Sequence, residues 1–197
     1  MKLLIATRNA HKLAEIREML PGIEIVGTEA YPQVPDPEET GATFEENAAI
    51  KAAAWLAATG LPALADDSGL EVEALGGAPG IRSARYAGVH GDSAANNARL
   101  LRELAGLPPE RRGARFVCAL ALARPGEAIQ TLRGVCSGRI VPTAQGTHGF
   151  GYDPLFVPDG FTRTFGELAE EVKARLSHRA RAFALARERW FGLDERA

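Results

Sequence analysis

The sequence predicts an α/β fold, with a mixed or parallel sheet covered by helices, and three observations carry that prediction. Short apolar runs at 2–6, 24–26 and 61–65 alternate with segments of helical periodicity, which gives a β-α-β-α-β opening. Two longer strand-like runs, 115–123 and 129–137, follow as a hairpin. No repeat, low-complexity tract or linker interrupts the 197 residues, a length that suits one domain or two small lobes.

Residues 2–6 are apolar and end in Thr7-Arg8-Asn9, so they read as a buried strand followed by a turn. From His11 to Leu20, the residues Leu13, Ile16, Met19 and Leu20 recur at helical spacing, and Pro21-Gly22 stops the helix. Glu24 to Val26 is a second short strand. Tyr31 to Gly41 carries Pro32, Pro35 and Pro37 among acids, which makes it a loop. Thr43-Phe44-Glu45-Glu46 has the pattern of a capping box, and the alanine-rich helix it opens runs to about Thr59. Leu61-Pro62-Ala63-Leu64-Ala65 is a buried strand that runs into Asp66-Asp67-Ser68-Gly69. Residues 69–91 are glycine-rich and aperiodic, a long loop with short pieces of structure. Ser93 to Leu104 is a helix capped by Asp92 or Ser93. The hairpin turns at Arg124-Pro125-Gly126-Glu127, and the loop 146–154 precedes a short strand. Two helices close the chain, near 167–174 and 178–191, the second capped by Ser177.

Apolar residues make up 46% and charged residues 24%, as in ordinary soluble globular proteins. A net charge of −2 argues against nucleic acid or a membrane surface as a partner held by bulk electrostatics. The apolar start of the chain is too short for a signal peptide, and no run is long enough to span a bilayer. Cys118 and Cys136 form neither a CxxC pair nor a metal cluster and read as reduced thiols, which suits a cytoplasmic location. Lysine occurs only four times, at 2, 12, 51 and 173, whereas arginine supplies the other 19 basic residues. A lysine kept in such a chain marks a position that needs a compact, strongly hydrated charge, such as a phosphate contact.

Three constellations could carry chemistry. Asp66 and Asp67, at the carboxyl end of a buried strand, lie where open α/β sheets build their sites. Two adjacent carboxylates need a cation to remain ionised, so the pair reads as a metal site for phosphate chemistry, or as an Asp-Ser-Gly turn. The acidic loop before the second helix, Glu38-Glu39-Thr40-Gly41, could supply a further ligand or be a solvated face. Lys51, set in an alanine-rich helix, is placed to face the same site. The second constellation, Thr7-Arg8-Asn9-Ala10-His11-Lys12, is a strand-to-helix junction whose amides and Lys12 suit an anion. Its plainer reading is a helix cap by Asn9 with Lys12 in solvent. The third is Phe150-Gly151-Tyr152-Asp153, followed by Lys173 and Ser177-His178-Arg179. An aromatic pair between glycines offers a base a stacking face and Asp153 an acceptor, unless the loop merely packs on the core.

Seven segments in order give the chain a resemblance from Leu4 to about Phe191. They are Thr7-x-Asn9-x-x-Lys12, Glu39-Thr40-Gly41-x-Thr43-Phe44-x-Glu46-Asn47, Ala65-Asp66-Asp67-Ser68-Gly69-Leu70, Leu75-Gly76-Gly77-Ala78-Pro79-Gly80, Ser83-Ala84-Arg85-Tyr86, Phe150-Gly151-Tyr152-Asp153-Pro154 and Ser177-His178-Arg179. The chain resembles the inosine triphosphate pyrophosphatase family, house-cleaning enzymes that hydrolyse non-standard purine nucleoside triphosphates such as ITP, dITP and XTP. Lys12, Lys51 and Lys173 fall at that family's lysine positions, and Arg8 stands where many relatives carry glycine, so that it could add a phosphate contact or point to solvent.

The resemblance implies an elongated two-lobed α/β protein with a central cleft, a homodimer, and Mg²⁺ as cofactor. It implies hydrolysis of a nucleoside triphosphate to the monophosphate and pyrophosphate. Asp67 would be metal ligand and acceptor of the proton from water, with Glu38 or Glu39 and Asp66 completing the metal environment. Thr7, Arg8, Asn9, Ala10, His11, Lys12, Lys51 and Ser68 would contact phosphates. Phe150, Gly151, Tyr152, Asp153, Lys173, His178 and Arg179 would bind the base. The alternatives are a related pyrophosphatase of different base choice and a non-catalytic nucleotide sensor, which would not need a water-activating acid.

Overall fold

The computed structural model describes residues 2–193. A single sheet contains six strands: β1 (Lys2–Ile5), β2 (Glu24–Gly27), β3 (Ala63–Val72), β4 (Gly113–Ala123), β5 (Gln130–Ile140) and β6 (Phe156–Pro158). Their order is β2-β1-β3-β4-β5-β6. β1 runs parallel to both β2 and β3, whereas β5 and β6 are antiparallel, so the sheet is mixed, one of the two forms the opening alternation implies.

The described residues form five α-helices, three between strands, α1 (Ala10–Met19), α2 (Phe44–Thr59) and α3 (Ser93–Glu103), and two after β6, α4 (Glu170–Leu176) and α5 (His178–Ala186). Their ends follow local chemistry. Thr43 and Glu46 form the capping box: Thr43 Oγ1 accepts from Glu46 N at 3.1 Å and Glu46 Oε2 from Thr43 N at 3.3 Å. Gly60, left-handed at φ 70°, ends α2. Asp92 caps α3 through Ala95 N, and Ser177 Oγ accepts from Ala180 N at the start of α5. After α5 the chain widens into a π-helical turn, Arg187–Phe191. No described helix is long and apolar enough to cross a membrane.

The chain divides into two compact units. Of the described residues, the first holds 2–67, 118–134 and 182–193; the second holds Ser68–Val117 and Val135–Arg181. In the first, Leu3, Ile5, Leu64, Cys118, Leu120 and Leu122 on one face of the strands pack with Leu13, Ile16 and Leu20 of α1 and with Phe183 of α5. The intervening residues Leu4, Ala63, Ala65, Ala119 and Ala121 are also buried, as expected where a sheet is covered on both faces. In the second, Leu70, Val72, Leu100, Leu104, Ile140 and Leu155 enclose a cluster of Phe116, Phe156 and Phe165. Each unit thus has its own apolar core, and burial of such side chains supplies most of the driving force for folding.

One boundary differs from the sequence reading in a way that matters. β3 does not end before the aspartates: it continues through them to Val72. β1 stops pairing at Leu64, and beyond it Ser83 takes over part of the vacated edge, its Oγ accepting from Leu70 N at 2.8 Å. Leu70 and Val72 are fully buried and hold the extension in the second core. The Asp-Ser-Gly turn is therefore absent; much of 69–91 is strand or 3-10 helix, at Glu73–Leu75 and Gly80–Arg85.

Candidate active site

Asp66 and Asp67 lie inside β3, just beyond its last parallel partner on β1. Successive strand residues point to opposite faces, so the two carboxylates do not confront each other. Asp66 shares a face with Leu64, which packs on α1, and its Oδ2 accepts from Lys12 Nζ of that helix at 2.9 Å. Asp67 faces α2: its Oδ2 accepts from Asn47 Nδ2 at 3.2 Å and its Oδ1 lies 3.6 Å from Lys51 Nζ. Each aspartate thus has a lysine of its own.

Lys51 also donates to Glu39 Oε1 at 3.0 Å, so its ammonium is bracketed by two carboxylates. Burial pulls the Lys51 pKa down, but Asp67, Asp66 and Glu39 outweigh it and hold the ammonium above its ordinary value. Burial raises the carboxyl of Asp67; Lys51 and the Asn47 hydrogen bond lower it, Glu39 and Asp66 raise it, and the balance stands above the usual carboxylate range. Glu38, the other acid of this loop, is exposed.

The acidic loop is held by a residue that the sequence shows only as part of a motif. Asn47 is fully buried; while Nδ2 reaches Asp67, Oδ1 accepts from Gly41 N at 2.8 Å. Gly41 has to be glycine, because a Cβ there would lie 2.7 Å from both Asn47 Oδ1 and Glu46 Cβ. Its signal in the sequence is a polar residue one turn before Lys51 in an alanine-rich helix.

At the strand-to-helix junction the helix-cap reading holds in part. Asn9 does cap α1, its Oδ1 accepting from Lys12 N at 3.2 Å, and Thr7 Oγ1 accepts from Asn9 N. Lys12 is not in solvent, since it pairs with buried Asp66. Arg8 turns away to Asp36 Oδ2 at 2.6 Å and Val34 O at 2.7 Å. Ala10 opens the helix, the side chain of His11 lies outside the described part of the structure, and Ser68 is half-buried beside Asp67.

In the second unit the aromatic pair divides. Phe150 is 61% exposed, with Lys173 Nζ 4.5 Å from its ring centre. Tyr152 is buried in the core and donates to Ser83 O, so it anchors the loop and offers no free face. Asp153 Oδ2 accepts from Phe150 N at 2.7 Å and from Lys173 Nζ at 2.5 Å, which closes the loop around Gly151. A Cβ at Gly149 would lie 2.1 Å from Asp153 Oδ2. Asn97 of α3 donates to Gly151 O, a contact without a sequence signal. His178 stacks on Phe116 at 5.0 Å, and the neighbouring Arg179 is buried too.

A model of the Ham1 family matches residues 3–189. The chain belongs to the Ham1 family. A dITP/XTP pyrophosphatase of Nocardia farcinica is 54% identical over 92% of this chain and 90% of its own length. The dITP/XTP pyrophosphatase of Streptomyces avermitilis is 51% identical over 92% and 93%. Among solved structures, the Ham1 protein of Staphylococcus aureus is similar at a TM-score of 0.92 and 38% identity, over 98% of this chain and 100% of that one. The dITP/XTP pyrophosphatase of Mycobacterium abscessus is similar at 0.79 and 48%, over 89% and 93%. The α/β class and the family inferred from the seven segments are thus both met.

For this Ham1-family chain, the fit of a divalent cation can be judged from the donors. Among the described residues, no three His, Cys, Asp or Glu side chains form a ready-made metal cage. Glu39 and Asp67, however, present carboxylate oxygens to one and the same cation, Lys51. Two hard oxygen donors suit Mg²⁺, which completes its shell with water and substrate phosphates.

Proposed function

We propose that this chain hydrolyses non-standard purine nucleoside triphosphates, ITP, dITP and XTP, to the monophosphate and pyrophosphate with Mg²⁺ as cofactor. Membership of the Ham1 family and the names of its relatives support the reading. What carries it in the structure is Asp67, held by Asn47 and Lys51 with Glu39 beside it.

Asp67 and Glu39 would hold the metal, which when bound neutralises charge on the leaving pyrophosphate. Asp67 also accepts the proton of the attacking water. Lys12, Lys51, Ser68 and the turn Thr7, Asn9, Ala10 and His11 hold the phosphates, with Asp66 setting the position of Lys12. Attack at the α-phosphorus needs the triphosphate fixed in line, and these fixed donors provide that orientation.

Phe150 stacks on the base, while Lys173, Asp153, Gly151 and Tyr152 keep its loop in shape. His178 and Arg179 recognise position 6. A guanidinium can only donate, so it accepts a 6-oxo purine and leaves adenine with donor facing donor. Mismatches of that kind discriminate by about 10⁴-fold. The working form is a homodimer in the cytoplasm, acting on the free nucleotide pool.

The test is phosphate release from ITP, dITP, XTP, GTP and ATP with Mg²⁺, with and without added inorganic pyrophosphatase, for wild type and Asp67→Asn. The expected result is signal from ITP, dITP and XTP only with the coupling enzyme, lost in the variant. Direct orthophosphate release, equal turnover of all five, or an active variant would overturn the reading. Sedimentation of the purified protein tests the dimer.

A further inference from the structure

Arg8 sits in the turn between β1 and α1, one residue before the helix cap, yet its guanidinium serves another segment. Nε donates to Asp36 Oδ2 at 2.6 Å and Nη2 to Val34 O at 2.7 Å. Both acceptors belong to the loop 31–41, which has no regular structure. Asp36 is flanked by Pro35 and Pro37, and neither proline has a backbone N–H. This stretch therefore has few donors with which to fasten itself. Its entry is tied to the same turn by Thr28 Oγ1 donating to Thr7 O at 2.8 Å. Its exit is tied to Asn47 through Gly41 N. Arg8 supplies the tie in between, and Glu39 projects from the loop immediately beyond it toward Lys51.

We propose that Arg8 is a positioning residue, a strut that holds the acidic loop so that Glu39 reaches Lys51 and Asp67, and that it is not a phosphate contact. The inference rests on the proposed function for its catalytic consequence, and on the geometry alone for the strut. The ion pair is about half exposed, at 46% and 54% for the two side chains, so it is not a major source of stability. Its effect is local order. Two hydrogen bonds from one planar group fix a position that a lysine, a single point charge, cannot fix as well.

Two measurements test this on Arg8→Ala, Arg8→Lys, Asp36→Ala and the double variant Arg8→Ala/Asp36→Ala. In the metal-free protein, amide hydrogen exchange across 33–40 should rise in Arg8→Ala and Asp36→Ala, less in Arg8→Lys, and no further in the double variant. In the enzyme, the Mg²⁺ concentration for half-maximal activity should rise about two- to fivefold, the scale of one exposed ion pair, while KM for the nucleotide at saturating Mg²⁺ stays unchanged. A raised KM in Arg8→Ala without the same change in Asp36→Ala would make Arg8 a phosphate contact and overturn the proposal. Unchanged exchange in Arg8→Ala would overturn it as well. If the wild type hydrolyses none of the triphosphates, the proposed function fails, and the exchange result still decides the strut.

Discussion

Replacing Lys51 by methionine removes the cation between Glu39 and Asp67 while keeping the length of the side chain. At an effective dielectric of about 20, charges 3.0 and 3.6 Å apart attract by roughly 5 kcal/mol each, before the cost of burying the lysine is subtracted. With the Lys51 side chain only 15% exposed, that cost is large. The net loss on removing one partner of such a buried group is about 3–4 kcal/mol. The loss depends on pH, and its sign follows from Asp67. Its carboxyl already stands above the ordinary range, so its charged form disfavours the folded state, a burden absent at low pH that appears as pH rises through the raised value. Without Lys51 the carboxyl rises further. The variant should therefore lose most stability at pH 8 and distinctly less near pH 5, where the further-raised Asp67 carboxyl regains its proton. Urea unfolding of both proteins in EDTA at the two pH values, read by circular dichroism, measures this. A loss below about 1 kcal/mol at pH 8, or an equal loss at both, would refute the claim that these carboxylates hold Lys51.

Phe150→Ala should raise KM for the nucleotide roughly ten- to hundredfold, the worth of one stacked base, and leave the melting temperature unchanged because the ring is exposed. Tyr152→Phe removes only the hydrogen bond to Ser83 O and should cost about 1 kcal/mol in urea unfolding. Gly41→Ala forces the acidic loop off Asn47, and overpacking of this kind costs roughly 1–3 kcal/mol; kcat should fall with stability, whereas unaltered kcat would mean that the loop need not sit where it does. Chelation with EDTA should abolish turnover and excess Mg²⁺ restore it; activity that survives EDTA would remove the metal from the scheme.

Where local chemistry decides a structure, the sequence was legible. Thr43 and Glu46 announce the start of α2, Ser177 that of α5, and the alternation of apolar runs announces a mixed or parallel sheet. The path of β3 through its aspartates was not, because carboxylates at the end of an apolar run resemble a turn unless their lysines are known to arrive from α1 and α2. The lysine bias pointed to Lys12, Lys51 and Lys173, and each of them meets a carboxylate. Asn97 and the splitting of Phe150 from Tyr152 were invisible, since both depend on contacts between segments far apart in the chain. Arg8 could be read as a phosphate contact or as pointing to solvent, and not as a tie to Asp36 and Val34; these partners lie in a loop whose course the sequence does not give.

The placement of two lysines on opposite sides of β3 has a consequence for the strand itself. From Ala63 to Asp66 every side chain is buried whichever way it points, so hydrophobicity alone does not distinguish one register from its neighbour. A slip by a single residue would leave the alanines and leucine nearly as well covered. It would also move each aspartate to the other face, and only one of them could still find a lysine. Lys12 and Lys51 together thus act as a key with two bits, which fits a single alignment of the strand on which Asp67 is carried.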